Sequence, residues 1–166
     1  MQDDLPKLIA ALSAPDAAKR TEAAEQISLL GPDAQPAAIA LVLACGDEVE
    51  EVRQWATAAL EQLGPPEASD VGQLAILVEA RSSDVGYWAA TLLGRLKGEA
   101  TPAVDALARA VTGPLDLSVR QRAAWALGEI GPGAAAALPS LQKAAADPDP
   151  RLSRLAKQAI SQIAGR

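Results

Sequence analysis

The sequence predicts an all-α fold in which helical hairpins stack into a solenoid. Three observations support this prediction. A short pattern returns five times, at offsets of 33, 33, 34 and 33 residues. Apolar residues within each copy follow helical spacing, and no stretch shows the period-two alternation of a β-strand. A fixed period in this range is typical of supersecondary units that bury their apolar faces only by stacking on one another.

The second helix of each hairpin is the clearest element. The third residue of every copy is alanine, and the residues four and seven positions later are leucine or isoleucine, which makes one apolar stripe along a helix. The copies read TEAAEQISLLGP, QWATAALEQLGP, YWAATLLGRLKG, QRAAWALGEIGP and RLAKQAISQIAG, and they start at Thr21, Gln54, Tyr87, Gln121 and Arg154.

A second stripe of leucine, valine and alanine lies upstream in each copy and predicts a leading helix. Proline is tolerated in the first turn of a helix, and glycine followed by proline commonly ends one. Both signals occur at the expected places: Pro6, Pro36, Pro102 and Pro139 near the starts of leading helices, and Gly31, Gly64 and Gly131 after second helices. The predicted helices span about 4–12, 18–30, 35–44, 51–63, 70–80, 85–96, 102–112, 118–130, 136–146 and 151–163.

The domain organisation follows from the repeats. No Gly/Ser-rich linker divides the chain, so we expect a single domain over 1–166, with repeats at about 4–34, 35–69, 70–100, 101–134 and 135–166. Lys157 stands where the other copies have a small residue, and Lys19 interrupts the apolar stripe on the second helix of the first repeat. A solenoid needs polar outer faces at its ends, so both lysines are interpreted as solvent-facing caps, together with Arg151, Arg154, Gln158 and Gln162.

The repeated segments resemble a known family. VRQRAAWALGEIGPGA from Val119, and VRQWATAALEQLGPPEA from Val52, are similar to the short bacterial HEAT repeat of the bilin-lyase (PBS lyase) type. The resemblance implies a right-handed, armadillo-like α-α superhelix that serves mainly as a binding scaffold, with the second helices lining the concave face. One family feature is an aspartate, six residues before an arginine, that bonds to a neighbouring repeat. It survives only as Asp47 with Arg53, so a continuous ladder is not expected.

The residue inventory excludes most catalytic chemistry. The chain has no histidine and a single cysteine, which removes His-based acid–base catalysis, Ser-His and Cys-His nucleophiles and His-containing zinc sites. Cys45 stands in an apolar column, that is, at a position where the equivalent residues of the other repeats are apolar. This favours a buried small hydrophobe over a reactive thiol. Acidic clusters around Asp47 and Asp147 fall in turns and helix starts and are interpreted as caps rather than metal ligands. We therefore predict a non-enzyme without cofactor or metal.

Aromatic placement supplies the best functional clue. The chain has no phenylalanine, one tyrosine and three tryptophans, and all four rings lie on second helices. Trp125 falls well outside the apolar stripe and is expected to be exposed or half exposed, whereas filling space between repeats is a strong alternative for Trp55 and Trp88. Exposed Trp and Arg are enriched at binding hot spots. The predicted partner-binding residues are Trp55, Tyr87, Trp88, Arg95, Arg122, Trp125 and Glu129.

Three classes of function remain open. The leading one is an interaction scaffold that binds a protein or peptide on the concave face. The resemblance also implies two alternatives. One is an accessory role in attaching a phycobilin, a tetrapyrrole with propionate groups that arginines could bind. The other is DNA binding, as in HEAT-like glycosylases. The net charge of −6 disfavours nucleic acid and favours a basic partner or simple solubility. A cytoplasmic location is expected, because no segment has the pattern of a secretory signal or a membrane span. The protein is also expected to be a monomer.

Overall fold

A computed structural model describes residues 4–165, and the fold is an all-α solenoid. Ten α-helices and no strand occur within that range, which confirms the predicted class and all ten predicted helices. The helices are α1 Leu5–Ala11, α2 Ala17–Ser28, α3 Ala38–Ala44, α4 Glu50–Gln62, α5 Val71–Leu77, α6 Ser83–Arg95, α7 Val104–Thr112, α8 Leu117–Ile130, α9 Leu138–Ala145 and α10 Pro150–Ile163.

Short 3₁₀ helices precede four of the leading helices, which therefore begin one to three residues later than predicted. Three of these segments have seven residues: Gly31–Ala37, Lys97–Ala103 and Gly131–Ala137. Pro36 and Pro102 lie inside them rather than in the first α-helical turn. Tight 3₁₀ turns are common as connectors, and their i→i+3 bonding pattern is not visible in apolar periodicity.

The glycine that ends a second helix adopts a left-handed backbone. Gly31, Gly64 and Gly131 have φ values of 56°, 74° and 72°. The equivalent position of the third repeat is Lys97, with φ of 52°, the only described residue other than glycine with positive φ. A side chain in this conformation brings Cβ close to the backbone and costs about 1–2 kcal/mol. The third repeat therefore carries a local strain that the others avoid.

The chain forms two compact units, divided after Pro66. Unit 1 contains α1–α4, and unit 2, which starts at Glu67, contains α5–α10. The division falls close to the boundary expected between the second and third repeats. A single domain over 1–166 with the five repeat boundaries given above stays a prediction, and residues 1–3 and 166 lie outside the described part.

Alanine forms the centre of both units. In unit 1, α2 packs against α4, and in unit 2, α8 packs against both α6 and α10. Only a residue as small as alanine lets neighbouring second helices approach closely at this column, and the five alanines are buried: Ala23, Ala56, Ala89, Ala123 and Ala156. Cys45 is buried as well, with its Sγ 3.8 Å from the Oγ1 of Thr57, which agrees with the role of a small hydrophobe.

A buried ion pair joins consecutive repeats within unit 1. Arg20 is 9% exposed and donates from Nε to Asp47 Oδ2 (2.7 Å) and from Nη2 to Oδ1 (3.0 Å). Burial raises the pKa of Asp47, but hydrogen bonds from Arg20 and from the Val49 N–H outweigh it, so that the pKa lies below its usual value. Arg53, the partner considered from the sequence, instead donates to the backbone carbonyl of Asp47.

Unit 2 contains the equivalent pair at a more exposed position. Arg120 Nη2 donates to Asp147 Oδ2 (2.6 Å), and its Nε donates to the Val111 carbonyl (3.0 Å). The Asp149 N–H and then Arg120 lower the pKa of Asp147. Because the arginine of one repeat meets the aspartate of the next, the family ladder is retained in part, as Arg20 with Asp47 and Arg120 with Asp147.

The last helix presents the polar surface that the sequence predicted. Arg151, Arg154, Lys157 and Gln158 are exposed on α10, and Lys19 is exposed on α2. Gln162 differs from the prediction. It is half-buried, because its side chain lies against Gly128 of α8. None of the helices within residues 4–165 combines the length and hydrophobicity that crossing a lipid bilayer requires.

Candidate functional site

The second helices of unit 2 form a cleft, which we call the arginine cleft. It encloses about 190 Å³ and has contributions from three helices, because α8 lies between α6 and α10. The lining residues are Tyr87 from α6, Ser118, Gln121, Arg122 and Trp125 from α8, and Arg151 and Leu155 from α10.

Trp125 forms one wall because a neighbouring helix leaves room for its ring. A Cβ atom placed on Gly94 of α6 would overlap with Cζ3 of the Trp125 indole and lie 2.8 Å from Cη2. The ring therefore rests directly on the α6 backbone, and the residue is half-buried. This agrees with the exposure expected from its position outside the apolar stripe. It also means that the ring contributes to packing as well as to the cleft.

Arg122 lies at the centre of the cleft. Its Cζ is 4.5 Å from the centroid of the Tyr87 ring and 4.9 Å from that of Trp125, both within the range of cation–π contacts. Its Nη2 also donates a hydrogen bond to the Tyr87 hydroxyl. Two rings and a phenol oxygen thus hold the guanidinium in place, although the side chain is only half-buried.

The aromatic cluster continues along α6. The rings of Tyr87 and Trp88 meet edge to face, with centroids 5.7 Å apart and planes at 87°. Arg95 lies 5.7 Å above the Trp88 ring. Such edge-to-face pairs contribute about 0.5–1.5 kcal/mol beyond area burial, so they fix the ring of Tyr87 that Arg122 contacts.

The rim of the cleft is held by the start of α10. Asp149 caps this helix, and its Oδ1 accepts from the Leu152 N–H (2.7 Å). The same oxygen accepts from Gln121 Nε2 (2.9 Å), which ties α8 to α10. Gln121 is therefore a fixed element of the wall, and its carboxylate partner is already engaged by two donors.

The structure brings together five of the seven predicted partner-binding residues: Tyr87, Trp88, Arg95, Arg122 and Trp125. Trp88 is 8% exposed, so it supports the cluster and offers little surface to a ligand. Glu129 is half-buried one turn beyond Trp125 on α8 and does not line the cleft. Trp55 is half-buried on α4 and belongs to unit 1.

Four lining residues were not predicted as partner-binding: Ser118, Gln121, Arg151 and Leu155. Arg151 was predicted only as part of a polar cap, and Leu155 was given no role, although it occupies the position in its repeat that Arg122 occupies in the preceding one. Repeat register contained a usable signal, because residues in equivalent columns of α8 and α10 become neighbours when the repeats stack. The register cannot say which of those columns a cleft will use.

The side chains that line the cleft offer hydrogen-bond donors, aromatic rings and apolar surface. Planar arginine, a phenol hydroxyl and an indole can pair with carboxylates and stack on flat groups. Within residues 4–165, no group of three or more His, Cys, Asp or Glu side chains is arranged to hold a metal ion.

A family model describing HEAT repeats matches residues 73–161. The chain belongs to the HEAT-repeat family. The matched segment runs from α5 to α10 and includes every residue that lines the arginine cleft. A search of curated proteins finds no match to the chain.

Solved structures of repeat proteins share the fold of this HEAT-repeat chain. An engineered protein is 23% identical, with a TM-score of 0.67 and coverage of 97% of this chain and 81% of the other. A designed armadillo repeat protein in complex with the peptide (KR)4 is 21% identical, with a TM-score of 0.66 and coverage of 97% and 82%. The complex of CpcE and CpcF of phycocyanin lyase from Nostoc sp. PCC7120 is 28% identical, with a TM-score of 0.66 and coverage of 98% and 65%.

Proposed function

We propose that this HEAT-repeat protein is a non-catalytic scaffold that binds a protein or peptide in the arginine cleft. One observation carries the proposal: Arg122 is held between Tyr87 and Trp125 at the surface, facing a cleft that three helices build. Arginine and tryptophan grouped in this way are the residues most enriched at the centres of interfaces. A rigid anchor also loses little conformational entropy on binding.

The family and its neighbours support this role. Two of the similar structures contain a bound peptide or a second protein: the designed armadillo protein with (KR)4, and CpcE with CpcF. At about 190 Å³ the cleft is smaller than sites that enclose a small molecule, which measure about 300–1,000 Å³. It suits one or two side chains of a larger partner better than a whole cofactor.

Trp125→Ala is the main test variant, because it removes one wall of the cleft. Because the ring rests on Gly94, we expect this change to weaken binding and also to destabilise the protein by about 1–2 kcal/mol, less than for a fully buried tryptophan. Tyr87→Phe is a milder companion, since it removes only the hydroxyl that accepts from Arg122.

The proposal is tested by selecting a displayed random-peptide library on the full chain and measuring the affinity of the enriched peptides. We expect Trp125→Ala to weaken their binding about 30-fold or more, the equivalent of about 2 kcal/mol, and Tyr87→Phe by about threefold. Ile76→Ala is the control, because Ile76 is an exposed apolar residue of unit 2 on the leading helix α5. Failure to enrich any peptide, or peptides that bind both cleft variants as tightly as the wild type, would contradict the proposal.

A second candidate is an accessory role in phycobilin attachment. The observation in its favour is the similarity to the phycocyanin lyase complex, at 28% identity over 98% of this chain. The size of the cleft argues against enclosure of a tetrapyrrole, which would have to lie across the surface. Titration of the protein with free phycocyanobilin, followed by visible absorption, tests this role: a tight complex that Arg122→Gln abolishes would favour it over peptide binding.

A further inference from the structure

We infer that the arginine cleft recognises a carboxylate, and that its partner is an acidic peptide segment in which a glutamate or aspartate stands beside an apolar residue. This inference rests on the proposed function and names the chemistry of the partner. It differs from the basic partner that the net charge of the whole chain favours.

The pairing of the arginines carries the first step. Arg20, Arg109 and Arg120 each form an ion pair with a carboxylate. Arg122 forms none with any carboxylate among residues 4–165, yet its position is fixed by two rings and a phenol. A guanidinium has five N–H donors in a planar fork that matches a carboxylate. The Tyr87 hydroxyl accepts from Nη2, and no other hydrogen bond of the Arg122 side chain occurs within residues 4–165, so further N–H donors remain for an incoming acceptor.

The local charge gives the second step. Arg122 and Arg151 both line the cleft, and none of its seven lining residues is acidic. The carboxylate of Asp149, which the lining residue Gln121 contacts, accepts from Gln121 and from the start of α10, where the helix dipole offsets negative charge. An incoming carboxylate therefore meets two cations, and Leu155 and Trp125 offer apolar surface next to them.

The net charge of each unit agrees with a carboxylate ligand in unit 2. Residues 1–66 contain 11 acidic and 4 basic side chains, a net charge of −7, whereas residues 67–166 contain 10 acidic and 11 basic, a net charge of +1. The negative charge of the chain thus belongs to unit 1. The net charge of the whole sequence is a poor guide to the ligand of unit 2.

An acidic peptide fits better than a nucleic acid. Nucleic-acid affinity comes largely from neutralising several phosphates along a backbone, commonly about 6–10 in a protein–DNA contact. A unit with a net charge of +1 and a cleft of about 190 Å³ offers too few cations and too little space for that mode. A single side-chain carboxylate with one apolar neighbour matches both the small positive charge of unit 2 and the volume of the cleft.

The experiment compares three fluorescein-labelled probes on the full chain at low salt. They are an octapeptide of alternating glutamate and leucine, the matched octapeptide of lysine and leucine, and an eight-nucleotide thymidine strand. We expect the glutamate peptide to bind about tenfold more tightly than the lysine peptide, and its affinity to fall as salt screens the ion pairs.

Variants of two arginines locate the interaction. Arg122→Gln should weaken the glutamate peptide about tenfold or more, because the partner carboxylate loses its fork of donors. Arg122→Lys should weaken it about fivefold, because charge alone does not replace a stacked planar group. Arg109→Gln removes the same charge from α7, where Arg109 pairs with Glu79, and should change the affinity by less than about twofold.

Each remaining outcome overturns the inference. These are no measurable binding of the glutamate peptide, equal binding to wild type and Arg122→Gln, tighter binding of the lysine peptide, and tighter binding of the thymidine strand. The library selection separates this failure from failure of the proposed function. Basic or neutral peptides whose binding depends on Trp125 would leave the scaffold role standing and remove only the acidic partner.

Discussion

The second helices of the two units share their buried columns and differ at the surface. On α2 and α4 of unit 1, the column that precedes the central alanine holds Glu22 and Trp55, whereas on α8 of unit 2 it holds Arg122. A shallow groove along α4 is lined by Glu50, Arg53, Gln54, Thr57, Ala58 and Glu61. Unit 2 has instead the arginine cleft with its rings.

This difference shows which parts of a repeat the fold constrains. A second helix must present mainly alanine and aliphatic side chains to its neighbours, because voids and overpacking there both cost stability. The positions between those columns face solvent and change with little effect on folding. One scaffold therefore carries an acidic surface on one unit and an arginine-rich cleft on the other.

The largest expected effect tests the shared part of this comparison. Ala56→Arg in unit 1 and Ala123→Arg in unit 2 each place a long cation in a fully buried position, and each should cost about 4 kcal/mol through overpacking and burial of charge. Urea unfolding monitored by circular dichroism measures both. Lys157→Ala, at an exposed position on α10, is the control and should change stability by less than about 0.5 kcal/mol. An unchanged midpoint for either arginine variant would break the equivalence of the two cores.

The two inter-repeat ion pairs should differ in strength. Asp47→Ala removes two hydrogen bonds from the buried Arg20, which keeps the Ala14 and Pro15 carbonyls and the exposed Glu48, and should cost about 2–3 kcal/mol. Asp147→Ala should cost less, since that pair is more exposed and Asp147 accepts a single bond from Arg120. Equal losses in urea unfolding would mean that exposure does not set the strength of this pair.

The same pairs predict a dependence on acid. Both aspartates have a pKa below the usual value in the folded protein, so their contribution is present above the unfolded pKa of about 4 and is lost as the pH falls through the lower folded pKa. Wild-type stability should therefore drop between about pH 5 and pH 3, and more steeply than that of Asp47→Asn. Parallel curves for the two proteins would remove Asp47 as a cause.

The smallest effect concerns the strained end of α6. Lys97→Gly should stabilise the protein by about 1 kcal/mol, because glycine adopts the positive φ of this position without steric cost. Gly31→Ala at the equivalent position of unit 1 should destabilise it by a similar amount. Thermal unfolding of both variants gives the comparison, and a destabilised Lys97→Gly protein would show that the lysine side chain makes a compensating contact.

The periodicity of apolar residues was sufficient to predict the helices but not the cleft. The alanine column and the stripe around it predicted ten helices, because burial in a stack leaves a regular record in the sequence. The 3₁₀ segments were missed, since Pro36 and Pro102 signal a helix start equally well in either geometry. Lys97 was also missed, as no residue type other than glycine marks a positive φ reliably.

The cleft required distances that the sequence does not contain. The aromatic positions indicated the helices that build the cleft, and the position of Trp125 outside the apolar stripe predicted its partial exposure. The stacking of Arg122 on two rings depends on side-chain rotamers, and the contribution of Arg151 depends on how α10 lies beside α8. The alignment of the repeats limits the residues that can be neighbours on adjacent helices to a few, but it does not predict which of them line a cleft.

Gly94 controls the shape of the arginine cleft from a buried position beneath the Trp125 ring. Because even one methyl group there would collide with the indole of Trp125, the missing atom sets the height of the ring above α6. Alanine at this position would tilt the ring outward and pull apart the stack around Arg122. A substitution buried at Gly94 would therefore change the shape of the cleft while all seven residues that line it stayed the same.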